Sequence, residues 1–447
     1  MVIYAKTKAA EGHTRMSTAV PQAPAEIVPV EDTSFTGFYA NMTPPEKRTF
    51  WACAAGWGLD GMDFMIYPLV IGTLTKLWSI DNTSAGFAVT ATLLASAIGG
   101  WLAGFLSDRI GRVATLQITI LWFSAFSLLC AFAQDFQQLL IARALLGFGF
   151  GGEWAAGAVL MGETIRAQYR GRAVGAVQSS WAIGWGAAVL MQAVLFSYFP
   201  PAEAWRYMFM AGALPALLIF FIRRGVQEPA VSAEARAREN ASGNLPAIWE
   251  IFRPGILATT ILAALMSTGA QGGYYAITAW VPKFLTAERK LSIVGSTGYL
   301  AALIVGSFVG YLVGAWLADK IGRRYLFLIW SAGAIAVVIA YTQLPLSNDI
   351  LWFLGFPLGF FASGYFSGMG PFLTELFPTR LRGSGQGFCY NFGRGIGALF
   401  PTLVGYISAS MTLGNAIAIF AIAAYSLFFI CAFALPETRG KVLRPDA

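Results

Sequence analysis

Apolar stretches of membrane-crossing length alternate with short polar loops along almost the whole chain. A helix needs about 20 predominantly apolar residues to cross the hydrocarbon core. The pattern predicts span 1 over Arg48–Leu77, span 2 over Ser84–Leu106 and span 3 over Val113–Ala133. Span 4 is predicted over Gln138–Met161, span 5 over Ala173–Phe196 and span 6 over Trp205–Ile222. A polar interruption, 223–253, follows. Span 7 is then predicted over Ile256–Leu285, span 8 over Gly295–Leu317 and span 9 over Tyr325–Leu344. Span 10 falls on Ile350–Leu373, span 11 on Ser384–Ser408 and span 12 on Leu413–Leu435. The expected fold is an all-α membrane protein with twelve transmembrane helices in two pseudo-symmetric six-helix bundles.

The polar positions between spans repeat. Asp108-Arg109-Ile110-Gly111-Arg112 after span 2 returns as Asp319-Lys320-Ile321-Gly322-Arg323 after span 8. The two aspartates stand 211 positions apart (319 minus 108), close to half the chain. Glu163 with Arg170-Gly171 returns as Glu375 with Arg382-Gly383 at nearly the same offset. An internal repeat of this length points to a duplicated bundle. The expected division is a disordered tail over 1–45, a bundle over 46–222, a linker over 223–253, a second bundle over 254–435 and a tail over 436–447. Lysine and arginine concentrate after the even-numbered spans and at both ends, which predicts that both termini and the linker are cytoplasmic. Lys283, Arg289 and Lys290 after span 7 are the exception.

Composition agrees with a lipid-embedded chain. Of 447 residues, 57% are hydrophobic and 12% charged, about half the charge of an ordinary soluble domain. Mean hydropathy is +0.61. The net charge of +7 comes from loop arginines and lysines, so nucleic acid is not expected as a partner. Cys53, Cys130, Cys389 and Cys431 lie singly in apolar spans and are expected to be packing residues. The one histidine, His13, is in the polar N-terminal tail. Neither a cofactor nor a metal is expected, and the spans hold no catalytic residue set. Proton chemistry inside the membrane must fall to carboxylates.

The turn Gly104-x-x-x-Asp108-Arg109-x-Gly111-Arg112 and its second copy resemble the loop signature of the major facilitator superfamily. Arg143-x-x-x-Gly147-x-Gly149 resembles a second motif of that superfamily. Glu228-Pro229 and Pro436-Glu437-Thr438 resemble the motifs that close each of its halves. The resemblance covers spans 2 to 12 and implies two bundles rocking around a central cavity. Asp60-Gly61-Met62-Asp63-Phe64, Gly151-Gly152-Glu153-Trp154 and Tyr274-Tyr275 resemble bacterial metabolite:proton symporters of the sialate, aromatic-acid and monocarboxylate type. The sequence departs from yeast-type lactate carriers, since Gln271 precedes Gly272 and span 7 has no histidine.

Charges within spans are costly and mark function. Asp60 and Asp63, three apart, share a helix face near mid-membrane, where two carboxylates cannot both be ionised cheaply. Together with Glu153 and Arg143 they are the expected proton-coupling set. Arg143 is expected either to tune an aspartate or to snorkel to the interface. Arg394 in span 11 requires an acidic partner or an anionic substrate, and its planar fork suits a carboxylate. Asn391, Gln271, Tyr274, Tyr275 and Gln178 join Arg394 as expected substrate contacts. Gln178, Gln192, Gln271 and Asn391 are alternatively interhelical glue. Trp181, Trp185 and the two tyrosines are alternatively lipid-interface anchors. Asp108, Arg109, Arg112, Asp319, Lys320, Arg323, Glu163 and Glu375 are expected to gate the cytoplasmic side.

These features favour proton-coupled symport of a small organic anion by a monomer in a bacterial inner membrane. Proton-coupled efflux of drugs or metabolites and a sugar or polyol porter are the alternatives. A channel would not need duplicated gate loops, and an enzyme would show a catalytic set.

Overall fold

The computed structural model describes residues 37–165, 170–217, 222, 248–378 and 381–439. These form helices joined by short loops, with no strand among them. Eight segments are apolar and long enough to cross a membrane by length and composition. Spans 1, 4 and 11, which carry the buried charges, and span 6, described in part, are not among the eight.

Span 1 is a helix over Pro44–Leu77. Thr43 and Glu46 start it as a capping box: the Thr43 hydroxyl accepts from the Glu46 N–H, and Glu46 accepts from the Thr43 N–H at 2.8 Å. That satisfies two of the donors a helix start leaves open. The expected tail boundary at residue 45 is therefore slightly late, and Gly37–Ala40 already forms a helical turn. At about 1.5 Å per residue the helix is roughly 51 Å long, well beyond the hydrocarbon thickness of about 30 Å.

Spans 2 to 5 are Asn82–Ile110, Arg112–Ala131, Phe136–Thr164 and Arg170–Tyr198. Span 6 opens as Pro201–Ala211 and continues in a tighter turn, Leu214–Leu217. In the region expected to be linker, Ile248–Phe252 forms a short 3₁₀ turn. The other half has three broken passes. Span 7 is Pro254–Thr278 then Val281–Ala287, span 10 is Asn348–Ser363 then Phe366–Leu376, and span 11 is Arg382–Gly397 then Leu399–Ile407. Spans 8, 9 and 12 are Thr297–Ile321, Arg323–Gln343 and Leu413–Ala434.

The duplication is visible in the backbone. Gly111 and Gly322, the matching glycines of the repeated loops, have φ of 102° and 99° and ψ of 158° and 159°. Side-chain-bearing residues avoid that region. Helix crossings repeat as well. A Cβ on Gly151 would strike the carbonyl of Ser96 where spans 4 and 2 cross. A Cβ on Gly359 would strike the carbonyl of Leu303 where spans 10 and 8 cross. Close approach through glycine replaces the hydrophobic drive that lipid cannot supply.

All four cysteines are buried and free, and Cys53 and Cys389 donate to backbone carbonyls. The calls on His13, Glu228-Pro229 and the arginines at 223–239 lie outside the described residues.

Candidate functional site

Spans 1, 4 and 11 bring their charges together in the interior. Asp60 is 0% exposed and Arg394 2%. Asp60 lies within electrostatic reach of Glu153, Asp63 and Arg394. The carboxyl groups of Asp60 and Glu153 face each other, yet neither Asp60 oxygen has a protein donor. Two ionised carboxylates only accept, so a hydrogen bond forms between them when one carries a proton. A buried pair of this kind is a natural proton holder.

Arg394 donates from Nη1 to the Ser96 hydroxyl at 3.2 Å. Its guanidinium lies 5.1 Å from the Tyr390 ring centre and 5.6 Å from that of Phe150. Tyr275 stands beside it, and its Nε has no partner. Among the described residues it makes no ion pair. A planar cation between aromatic faces with donor capacity unused has the chemistry to bind an anion.

Asp60 and Asp63 share a helix face but serve different neighbours. Asp63 accepts a hydrogen bond from Ser127 of span 3 and faces Arg143. Arg143 is 0% exposed and lies 4.9 Å from the Tyr67 ring centre, so it does not snorkel to the interface. All three of its side-chain nitrogens lack hydrogen-bond partners. This second acid–base cluster lies within one half, on spans 1, 3 and 4.

Aromatic side chains of the two halves meet beside these charges. Trp57, Phe64, Phe150 and Trp181 stack in a group, and Phe64 also meets Tyr275. Trp181 Nε1 donates to the Tyr274 hydroxyl at 2.8 Å, joining span 5 to span 7. Trp181, Trp185, Tyr274 and Tyr275 are all buried, which removes the lipid-anchor alternative. Gln271 accepts from the Tyr275 hydroxyl and donates to the Tyr390 carbonyl, so it steadies two neighbours of Arg394. Gln178 is buried on the face of span 5 that carries Trp181. Asn391 bonds the Gly387 carbonyl of its own helix and packs against Gly100. Gln192 donates to the Leu69 carbonyl. Ser96, Ser127, Phe150 and Tyr390 belong to the site without a sequence signal beyond their presence in polar-bearing spans.

At the end of the bundle opposite the termini, here called the far face, the halves are joined. Lys283 Nζ donates to Asn82 Oδ1 at 2.7 Å and to Thr75 Oγ1 at 3.0 Å. Asn82 donates to the Ser408 hydroxyl at 2.9 Å. Thr90 bonds Thr402 and the Ala398 carbonyl, and Gly86 packs against Pro401. At the termini face, Arg323 pairs with Glu375 at 3.2 Å. Thr438 donates to Glu375, and Glu437 accepts from the backbone N–H groups of Arg323 and Arg324. Lys320 is exposed and sits 3.9 Å from the Trp316 ring centre. The Arg323–Glu375 pair joins spans 9 and 10 of one half and does not cross between halves. Arg112 begins span 3. The side chains of Asp108, Arg109, Glu163 and Asp319 lie outside the described residues.

Two helical bundles closing around a buried charged centre, with a hydrogen-bonded seam at one face, make the architecture of a membrane transporter. The chain belongs to the major facilitator superfamily: the profile described as Major Facilitator Superfamily matches residues 53–353 and 300–447. It is therefore a multi-pass membrane transporter and not an enzyme. It is 41% identical over 403 residues to a protein described as a probable 4-methylmuconolactone transporter of Cupriavidus pinatubonensis, covering 90% of this chain and 93% of that one. It is 28% identical over 377 residues to the cis,cis-muconate transport protein of Acinetobacter baylyi, covering 83% and 89%. The proton:xylose symporter XylE, solved with 6-bromo-6-deoxy-D-glucose, shares the fold at a TM-score of 0.69 and 18% identity, covering 89% of this chain and 98% of that one.

Proposed function

We propose that this transporter carries a small organic anion into the cell together with protons, by alternating access. Arg394 carries the reading. It is a buried cation with spare donors, ringed by Tyr275, Tyr390 and Phe150, with Asp60 nearby, Glu153 against Asp60, and no ion pair of its own among the described residues. An unpaired guanidinium within the bilayer is costly, so a negative group must face it in each state. In the empty carrier the field of Asp60 serves. In the loaded carrier the cargo carboxylate does, and a proton on the Asp60–Glu153 pair removes the competing charge. Binding the anion and binding the proton thereby favour each other, as coupling requires.

Tyr274, Tyr275, Gln271 and Gln178 line or brace the cargo space, with Asn391 behind them. Asp63 and Arg143 form a second proton-linked pair that communicates with Asp60 through span 1. The repeated loops, Asp108-Arg109-Arg112 and Asp319-Lys320-Arg323 with Glu163 and Glu375, act as the cytoplasmic gate. The protein works as a monomer in a bacterial inner membrane with both termini cytoplasmic, which makes the far face the outer one. The relatives support this cargo class, because muconate is a dicarboxylate and muconolactones carry a carboxylate.

The test is uptake into proteoliposomes. With an inward proton gradient, radiolabelled cis,cis-muconate accumulates above its outside concentration, and the neutral dimethyl ester neither accumulates nor competes. Accumulation that ignores the proton gradient would remove the coupling. Equal recognition of the ester would remove the anion.

A further inference from the structure

A cavity of about 640 Å³ opens on the far face between the ends of spans 1 and 5 and the end of span 7 with the approach to span 8. That volume suits a small organic molecule. Its wall carries Lys76 and Lys283, one from each half, and no aspartate or glutamate. Thr73, Thr75, Thr286, Ser296 and Gln192 supply the polar remainder. Lys283 is half-buried, and among the described residues its ammonium hydrogen-bonds the neutral oxygens of Asn82 and Thr75 and no carboxylate. The charge it feels most is that of Lys76, which is of the same sign. Of the acids near its wall in sequence, Asp81 is occupied with the N–H of Ser84 and Glu288 with the N–H groups of Leu413 and Gly414, and neither they nor Glu203 line the cavity. Two cations at the wall of one largely apolar cavity, with no carboxylate among its lining residues, make a site for an organic anion.

We infer that this cavity is an outer capture site for the carboxylate of the cargo, held by Lys283 and Lys76 before the anion passes inward to Arg394. The inference rests on the organic-anion reading above. It also explains why span 7 breaks the charge bias of the loops. A carboxylate forms a stronger hydrogen bond to an ammonium than an amide or hydroxyl oxygen does. An arriving anion therefore draws Lys283 away from Asn82 and Thr75. Asn82 in turn holds Ser408, so that exchange loosens the seam joining spans 1, 2, 7 and 11. Cargo at the entrance releases the closure that keeps it out.

The test uses the full chain in right-side-out phosphatidylcholine vesicles. The membrane-impermeant reagent sulfo-N-hydroxysuccinimide acetate is added outside, and acetylation of Lys283 and Lys76 is followed by peptide mass spectrometry. Millimolar cis,cis-muconate should slow Lys283 acetylation several-fold, and its dimethyl ester should not. The protection should persist in Arg394→Ala, where the inner site is lost. In Lys283→Gln, muconate should no longer shield Lys76, and KM for entry from outside should rise several-fold while efflux from inside keeps its KM. Equal acetylation rates with and without muconate, or protection that vanishes in Arg394→Ala, would overturn the site. Protection by added phosphatidylglycerol, with none from muconate, would assign the lysine pair to lipid phosphate and overturn it too. Protection with no muconate uptake would leave the capture site standing and sink the central reading instead.

Discussion

Replacing Arg394 separates a cargo receptor from a structural ion pair. Among the described residues the guanidinium donates to Ser96 at 3.2 Å, makes two ring contacts and has the Tyr275 and Tyr390 hydroxyls beside it. Losing a hydrogen bond to a charged group costs about 1.5–3 kcal/mol. Removing the cation also ends its burial, whose penalty is several kcal/mol per ion even after relaxation. The empty Arg394→Ala protein should therefore be no less stable than wild type. Cargo binding is another matter. Truncating one side of a buried charged hydrogen-bond pair costs about 2–5 kcal/mol, which is roughly 30-fold to several thousand-fold in affinity. Arg394→Lys keeps the charge but loses the two-pronged geometry, so its affinity should fall in between. The assay is titration calorimetry with cis,cis-muconate on purified protein at pH 6 and pH 8, with thermal unfolding of each apo protein beside it. Wild-type affinity should rise as the pH falls. Wild-type affinity in Arg394→Ala would refute the receptor, as would an apo protein destabilised by the 3–5 kcal/mol typical of a stranded ionic partner.

Asp60→Asn and Glu153→Gln should each abolish accumulation against a gradient while cargo exchange across the vesicle continues; accumulation surviving in the double variant would exonerate the pair. Gly111→Ala and Gly322→Ala force a side chain into backbone that only glycine tolerates, at about 1–3 kcal/mol each. Thermal unfolding should show the loss in both, and at Gly322 the new Cβ also meets the Glu437 carboxylate. Asp81, outside the membrane, accepts hydrogen bonds from Ser84 that hold its carboxyl below the usual range. Its stabilising contribution is therefore complete above pH 4 or so, its unfolded value, and is lost only as the pH falls further. Asp81→Ala should cost about 1 kcal/mol at pH 7, as a lost helix cap does, and leave the pH profile of transport between 5 and 8 unchanged.

The repeated loops announced the duplicated fold, because Asp108 to Arg112 and Asp319 to Arg323 keep the same residue types around a glycine whose backbone angle is also the same. Helical periodicity correctly placed Asp60 and Asp63 on one face, but a face is broad. Three residues turn the helix by about 300°, leaving the two side chains some 60° apart, and they end beside different partners. Ser96, Ser127 and Tyr390 were not legible, since a serine or tyrosine in a span becomes a partner only through packing across helices. Lys283 stood out as an excess charge on the wrong side of the membrane, but its bonds to Asn82 and Thr75 cross some 200 positions of sequence. No local pattern encodes such a contact. The breaks in spans 7, 10 and 11 were likewise hidden inside continuous apolar runs.

The buried charges have a consequence for the electrical work of the cycle. Asp60, Asp63 and Glu153 against Arg143 and Arg394 leave the described centre one negative charge in excess when all are ionised. A carrier that moves its centre through the bilayer does so most easily when that centre is neutral. The empty centre reaches neutrality with one proton, and the centre holding a monoanion reaches it with two. The difference is one proton for each negative charge on the cargo. Such a cycle moves no net charge, so the membrane voltage neither drives nor opposes it. Cells with a collapsed potential but an intact pH difference would then feed on the same acids at the same rate.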